Sequence, residues 1–199
     1  MSRNFTNLKK NMSIEQLDKF CKNLSEEYAR TPYCVSRSHF CNTYNITTSC
    51  YERVKEYAIV NCLVSDLTVE QMRDKAVANQ QFHSQYAGTS TWEKFERLIE
   101  ERNENMIKNI AKRYATEFAY NPDISKEDLA VSHGMTLNSY EKCLVMAIEE
   151  NIADDKTVDA MEERSYKNAP TPQRAEQTKN FFVGLRAKRE ANKKGVTLN

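Results

Sequence analysis

The stretch SRSHFCNTYNITTSCYERVKEYAIVNCLVSDLTVEQM, residues 36–72, returns 89 positions later as SKEDLAVSHGMTLNSYEKCLVMAIEENIADDKTVDAM, residues 125–161. No gap is needed, and ten of the 37 positions are identical. Tyr51 matches Tyr140, Glu52 matches Glu141, and Ala58-Ile59 matches Ala147-Ile148. Thr68-Val69 and Met72 recur as Thr157-Val158 and Met161. Upstream the match continues with a three-residue shift, pairing Lys22-Asn23 and Tyr28-Ala29 with Lys108-Asn109 and Tyr114-Ala115. A tandem duplication of a helical unit of about 80 residues is the organisation this predicts.

Composition agrees with helices. Gly and Pro number four each in 199 residues, too few for the turns that a sheet needs every eight to twelve positions. The fold class expected is therefore all-α, with residues 1–80 and 92–169 as two similar subdomains and 81–91 as a linker. Residues 170–199 read as a basic tail, with Lys179, Arg186, Lys188, Arg189, Lys193 and Lys194 and an apolar face of Phe181, Phe182 and Leu185. Ser13 and Gln16 form a capping box that opens a helix ended by Pro32. Shorter helices are expected near 36–44, 48–63 and 68–79. A long one from Trp92 runs to Pro122, and 125–133, 137–152 and 155–167 repeat the short set.

Lys and Arg total 29 against 28 Asp and Glu, a formal net charge of +1 that excludes a uniformly basic nucleic-acid coat or an acidic tail protein. No apolar run approaches a membrane span and no leader follows Met1, so a cytoplasmic protein without membrane contact is expected. The six cysteines, at 21, 34, 41, 50, 62 and 143, show no CxxC spacing and read as reduced core thiols. Cys34, His39, Cys41 and Cys50 lack the close ligand pairs of a zinc site. No metal and no cofactor is expected. Nothing in the chain has the form of a phosphate loop or a nucleophile elbow, and the expectation is that the protein is not an enzyme.

Within each copy a second pattern appears. In copy two, Ala130 is a small residue four positions before Gly134, and Met135, Tyr140 and Cys143 follow at buried spacing. In copy one, Cys41, Asn45, Ile46, Tyr51 and Val54 meet the same requirements. Two crossing helices need a small residue at the crossing and a left-handed residue at the turn. Gly supplies the latter without a Cβ clash, and Asn tolerates it best otherwise. Asn45 and Gly134 should both have positive φ. Over about 20 residues in each copy the chain resembles the helix-turn-helix superfamily, without a wing.

That resemblance implies double-stranded DNA as partner, the second helix of each motif lying in a major groove. The residues it places there are Thr47, Thr48, Ser49, Glu52 and Arg53 in copy one, with Arg37 nearby. In copy two they are Thr136, Asn138 and Lys142, with Lys126. Arg53 suits guanine and Glu52 cytosine N4, although Glu52 and Glu56 also oppose a polyanion. Leu137 and Val145, apolar on the same face of copy two, point instead to a homodimer or protein partner through the second repeat. Two functions follow: a DNA-binding transcription regulator or accessory factor read through copy one, or a protein-interaction factor on the same scaffold. The second would be an antagonist, an adaptor or a packaging subunit of a mobile element.

Overall fold

A computed structural model describes residues 4–32, 35–82 and 91–195, and among these residues it is helical with no strand. The helices are α1 (Phe5–Asn11), α2 (Ile14–Arg30), α3 (Arg37–Thr43), α4 (Thr48–Val60), α5 (Asp66–Phe82) and α6 (Thr91–Tyr120). They continue as α7 (Lys126–Ser132), α8 (Leu137–Glu149), α9 (Asp155–Lys167) and α10 (Pro172–Lys193). The chain divides into two compact units, Met1–Met106 and Ile107–Asn199. The division thus falls inside α6. The linker expected at 81–91 lies almost wholly outside the described residues, as do His83 and the side chain of Trp92.

Caps explain where the short helices start. Ser36 Oγ accepts from the His39 amide at 3.2 Å, and Ser125 Oγ from that of Asp128 at 3.0 Å. Thr47 and Thr136 do the same for α4 and α8, accepting from Cys50 N at 3.0 Å and Ser139 N at 3.2 Å. Between each short helix and the longer one that follows, Asn45 has φ 52° and Gly134 φ 65°. The expected left-handed turn is present in both. The residue after it closes back on the small residue: Ile46 N donates to Cys41 O at 3.0 Å, Met135 N to Ala130 O at 2.9 Å. A second left-handed pair, Cys62 at φ 57° and Asn151 at φ 58°, ends α4 and α8. There Leu63 N donates to Ala58 O and Ile152 N to Ala147 O. Cys62 is therefore a turn residue, half-buried, and not a core thiol.

A Cβ built on Gly134 meets no atom within 4 Å, so a side chain there costs only backbone strain. Gly134→Val is expected to lose about 1–2 kcal/mol in denaturant unfolding. Gly134→Asn, copying the residue that unit 1 uses, should lose much less.

The long-range polar ties of unit 1 have counterparts in unit 2. Arg37 pairs with Glu52, and Lys126 with Glu141. The Tyr44 hydroxyl bonds Glu27, and the His133 ring bonds Glu117. Lys75 donates to Tyr28 O and sits over its ring; Arg164 donates to Phe118 O and sits over its ring. Arg102 reaches Ile59 O and Asp66, and Arg189 reaches Ile148 O and Asp155. Asn105 caps Val60 O, and Asn192 caps Glu149 O, at 2.9 and 2.8 Å. These pairs set the register. The last turns of α2 correspond to those of α6 with Tyr28 on Phe118, so the three-residue shift read from the sequence, Tyr28 on Tyr114, is corrected. Burial decides the matter. Cys21, Leu24, Ser25, Tyr28 and Ala29 are buried on α2, and Ala111, Tyr114, Ala115, Phe118 and Ala119 on α6, at one constant spacing.

The same register matches α10 to the first part of α6. Phe95, Leu98 and Arg102 are buried in unit 1, and Phe182, Leu185 and Arg189 in unit 2. Within the segment expected as a tail, Pro172–Lys193 forms α10, the closing helix of the second unit, packed on α8 and α9. Thr171 caps it and Pro172 begins it, a position that costs no hydrogen bond. At the motif cores, Ile46, Tyr51 and Val54 are buried as expected. Tyr140 is buried too, but Met135 and Cys143 are only half-buried.

Candidate nucleic-acid interface

The α4 face of unit 1 starts from its cap. Thr47, Thr48 and Ser49 are all exposed at the helix N-terminus, where backbone amides and the helix dipole favour an anion such as phosphate. One turn further, Arg53 is exposed and makes no ion pair among the described residues. Thr48, Ser49, Glu52 and Arg53 share one face by helical spacing. Two glutamates on α4, Glu52 and Glu56, oppose a polyanion; Glu56 is half-buried without an ion pair among the described residues, and Glu52 is paired. The Glu52 carboxylate is held by two cations, Arg37 Nη1 at 2.5 Å and Lys55 Nζ at 2.6 Å. Burial pushes its pKa up, but Lys55 and Arg37 together outweigh this and hold it below the usual carboxylate value. Glu52 is therefore ionised and neutralised at neutral pH, and its oxygens are committed to protein donors. Arg37, named with the contact residues, is the side chain that neutralises it. Lys55, which offsets Glu52 by charge and i,i+3 spacing in the sequence, is half-buried with its ammonium 5.0 Å from the Phe95 ring centroid.

Unit 2 has the same frame with other chemistry. Thr136, Asn138 and Lys142 are exposed, and Lys126 holds Glu141 at 2.9 Å. Leu137 and Val145 are half-buried. α3 and α4 together carry three Lys or Arg against two acids, whereas α7 and α8 carry two against four. The acids of α7, Glu127 and Asp128, are exposed in its first turn. The two faces are thus opposite in sign. Val145 also lines a groove of about 1130 Å³ within unit 2, with Leu144, Met146, Phe181, Phe182 and Leu185 among its walls. The corresponding cavity of unit 1 is about 400 Å³ and carries Lys55, Glu56 and Lys94 where unit 2 has Leu144, Val145 and Phe181. Charged side chains close in unit 1 what apolar ones leave open in unit 2. This groove escaped the sequence reading because α10 had been taken for a tail.

Cys21, Cys41, Cys50 and Cys143 have no nucleophilic poise. Burial raises the pKa of Cys21 to about 12, and raises those of Cys41, Cys50 and Cys143. His39 is exposed, apart from the buried Cys41 and Cys50, and Cys34 lies outside the described residues. Among the described residues no group of three or more His, Cys, Asp or Glu is placed to hold a metal ion. No described helix is long and apolar enough to cross a membrane.

Compared with protein-family models, with curated protein sequences and with solved structures, the chain matches none.

Proposed function

We propose that the chain is a tandem duplication of a wingless helix-turn-helix unit, and that unit 1 binds double-stranded DNA with α4 in the major groove. One observation carries this reading. The N-terminal face of α4 presents Thr48, Ser49 and Arg53 to solvent, while Glu52 among them is tied off by Arg37 and Lys55 and Glu56, one turn on, is half-buried. The arrangement combines an anion-accepting helix end with a guanidinium suited to guanine O6 and N7, which is what groove reading requires. In this role the protein acts as a regulator or accessory factor at DNA, with no chemistry of its own.

The test is a salt titration of binding to a labelled random duplex. Affinity should fall linearly on logarithmic axes, with a slope of about 0.9 per phosphate neutralised. A slope near zero, or no binding at low salt, would reject the reading.

A second reading, a protein-interaction factor such as an antagonist, adaptor or packaging subunit, is favoured by a separate observation. The unit 2 face is acidic in α7, and its open groove has an apolar strip of Leu144, Val145, Phe181 and Phe182 between charged walls that include Glu127, Glu141 and Lys142. Acidic faces repel phosphate, and apolar grooves suit protein side chains. The two readings share one chain when unit 1 meets DNA and unit 2 meets protein.

A further inference from the structure

In unit 1 the outer side of α2 and α4 is closed by α1. Leu8 of α1 is 5% exposed. Phe5 packs on Tyr57 with ring centroids 5.8 Å apart, and the Lys9 ammonium lies 5.5 Å from the same Tyr57 ring. Beneath α1, Leu17 and Cys21 of α2 and Val54 of α4 are buried. The register set by the polar ties gives their counterparts in unit 2: Ile107, Ala111 and Cys143, with Met146 for Tyr57. The described helices of unit 2, from α6 to α10, correspond to α2 through α6, and none takes the part of α1. The consequence is visible at one residue. Ile107 is 50% exposed, where its counterpart Leu17 is 5% exposed. Ile110, Cys143 and Met146 beside it are half-buried.

The charge around this seat is reversed between the units. In unit 1 the Tyr57 hydroxyl donates to Asp18 at 2.8 Å, and α1 brings the basic Lys9 to that tyrosine. In unit 2 the counterpart of Asp18 is Lys108, with Lys112 one turn on, near the exposed Asp154 whose pKa the Thr157 amide and, in part, Lys112 lower, and Glu150 at the end of α8. Lys108 is exposed and makes no ion pair among the described residues. A basic helix such as α1 would be repelled where an acidic one is attracted.

We propose that the α6–α8 face of unit 2, built on Ile107, Ile110, Cys143 and Met146, docks a short acidic amphipathic helix of a protein partner in the place that α1 takes in unit 1. The partner helix carries apolar residues at the spacing of Phe5, Leu8 and Met12, and a carboxylate where α1 carries Lys9. This rests on the assignment of unit 2 to protein binding and is independent of the DNA reading of unit 1.

The probe is a stapled peptide of residues 4–12, bridged between positions 6 and 10 on its exposed side, in two versions: Lys9 retained and Lys9→Glu. Methyl NMR of the full chain reads the Ile107, Ile110 and Met146 signals during titration. The Lys9→Glu peptide should shift them and bind about threefold more tightly than the Lys9 peptide at low salt. Lys108→Asp in the chain should invert that preference, and Ile107→Asp should abolish binding while leaving duplex affinity and the Ile59 methyl signal unchanged. The proposal is overturned if neither peptide moves these methyls at millimolar concentration, or if the two bind alike. It is equally overturned if the methyls shift with chain concentration alone, because a second copy then holds the seat.

Discussion

Replacing Arg102 by alanine is expected to destabilise unit 1 by about 3 kcal/mol, and Arg189→Ala to destabilise unit 2 by less, about 2 kcal/mol. Arg102 is 7% exposed and spreads its guanidinium over Ile59 O at 3.2 Å, Val64 O at 2.8 Å and Asp66 Oδ1 at 3.0 Å. Two of these acceptors are backbone carbonyls: Ile59 O at the end of α4, which also accepts from Cys62 N at 3.1 Å, and Val64 O in the loop beyond it, which takes its hydrogen bond from Arg102. Alanine leaves Val64 O without that donor, and a buried carbonyl without a donor costs more than the bond itself contributes. Arg189 holds Ile148 O at 3.2 Å and Asp155 Oδ1 at 2.7 Å, but Ile148 O also accepts from Asn151 N at 3.3 Å and keeps a donor when the guanidinium is removed. In unit 1 most of the loss comes from Val64 O; Asp66 and Asp155 are largely exposed and each adds little. Lysine reaches one acceptor at a time, so Arg102→Lys should recover only part of the loss. Hydrogen exchange locates the effect: Arg102→Ala should lower protection of the α4 amides, and Arg189→Ala that of the α8 amides. Losses below about 1 kcal/mol in both would show that water takes over the carbonyls.

The short helix, left-handed turn and longer helix of each unit were legible in the sequence for physical reasons that leave letters behind. A crossing needs a small residue, so Cys41 and Ala130 stand there. A left-handed turn needs Asn or Gly, and the longer helix needs a hydroxyl cap, so Asn45, Gly134, Thr47 and Thr136 follow. Each requirement narrows the residue choice to a few types, and all fall at one constant offset. The closing helix left fainter marks. Phe95, Leu98, Arg102 and Asn105 recur as Phe182, Leu185, Arg189 and Asn192, but at a different offset from the motif, and an ungapped comparison passes over them. The first helix was misaligned because Tyr28 has a nearby tyrosine to match, Tyr114, while its true counterpart is Phe118. Both rings carry the same load, lying under a buried cation from α5 or α9. Burial and the cation pin the position; the hydroxyl does not. The role of Arg37 was hidden for a related reason: its Glu52 partner is 15 residues away, and only the crossing of α3 over α4 brings them together.

Arg53→Ala should reduce the preference for the best duplex over random DNA by about 10- to 100-fold, the worth of one bidentate guanine contact at about 1–3 kcal/mol. The residue is suited to this because nothing else claims it. Of the cations on α3 and α4, Arg37 and Lys55 are spent on Glu52, and Arg53 alone is exposed without an ion pair among the described residues. Lys142 occupies the matching position on α8, beside Glu141 and close in sequence to the exposed acids of α7. Lys142→Ala should therefore leave sequence preference unchanged and alter at most the salt slope, since phosphate contacts carry no sequence information. Competition with single-base variants of the selected duplex measures both. Arg53→Ala should flatten discrimination at one base pair only, because one guanidinium spans one guanine edge. The same panel includes Leu137→Asp, which places a charge on the half-buried apolar start of α8. If Arg53→Ala changes nothing at DNA while Leu137→Asp abolishes association with protein, the Thr-Ser-Arg face of α4 is solvated surface. The helix pair common to both units is then a scaffold for protein contact.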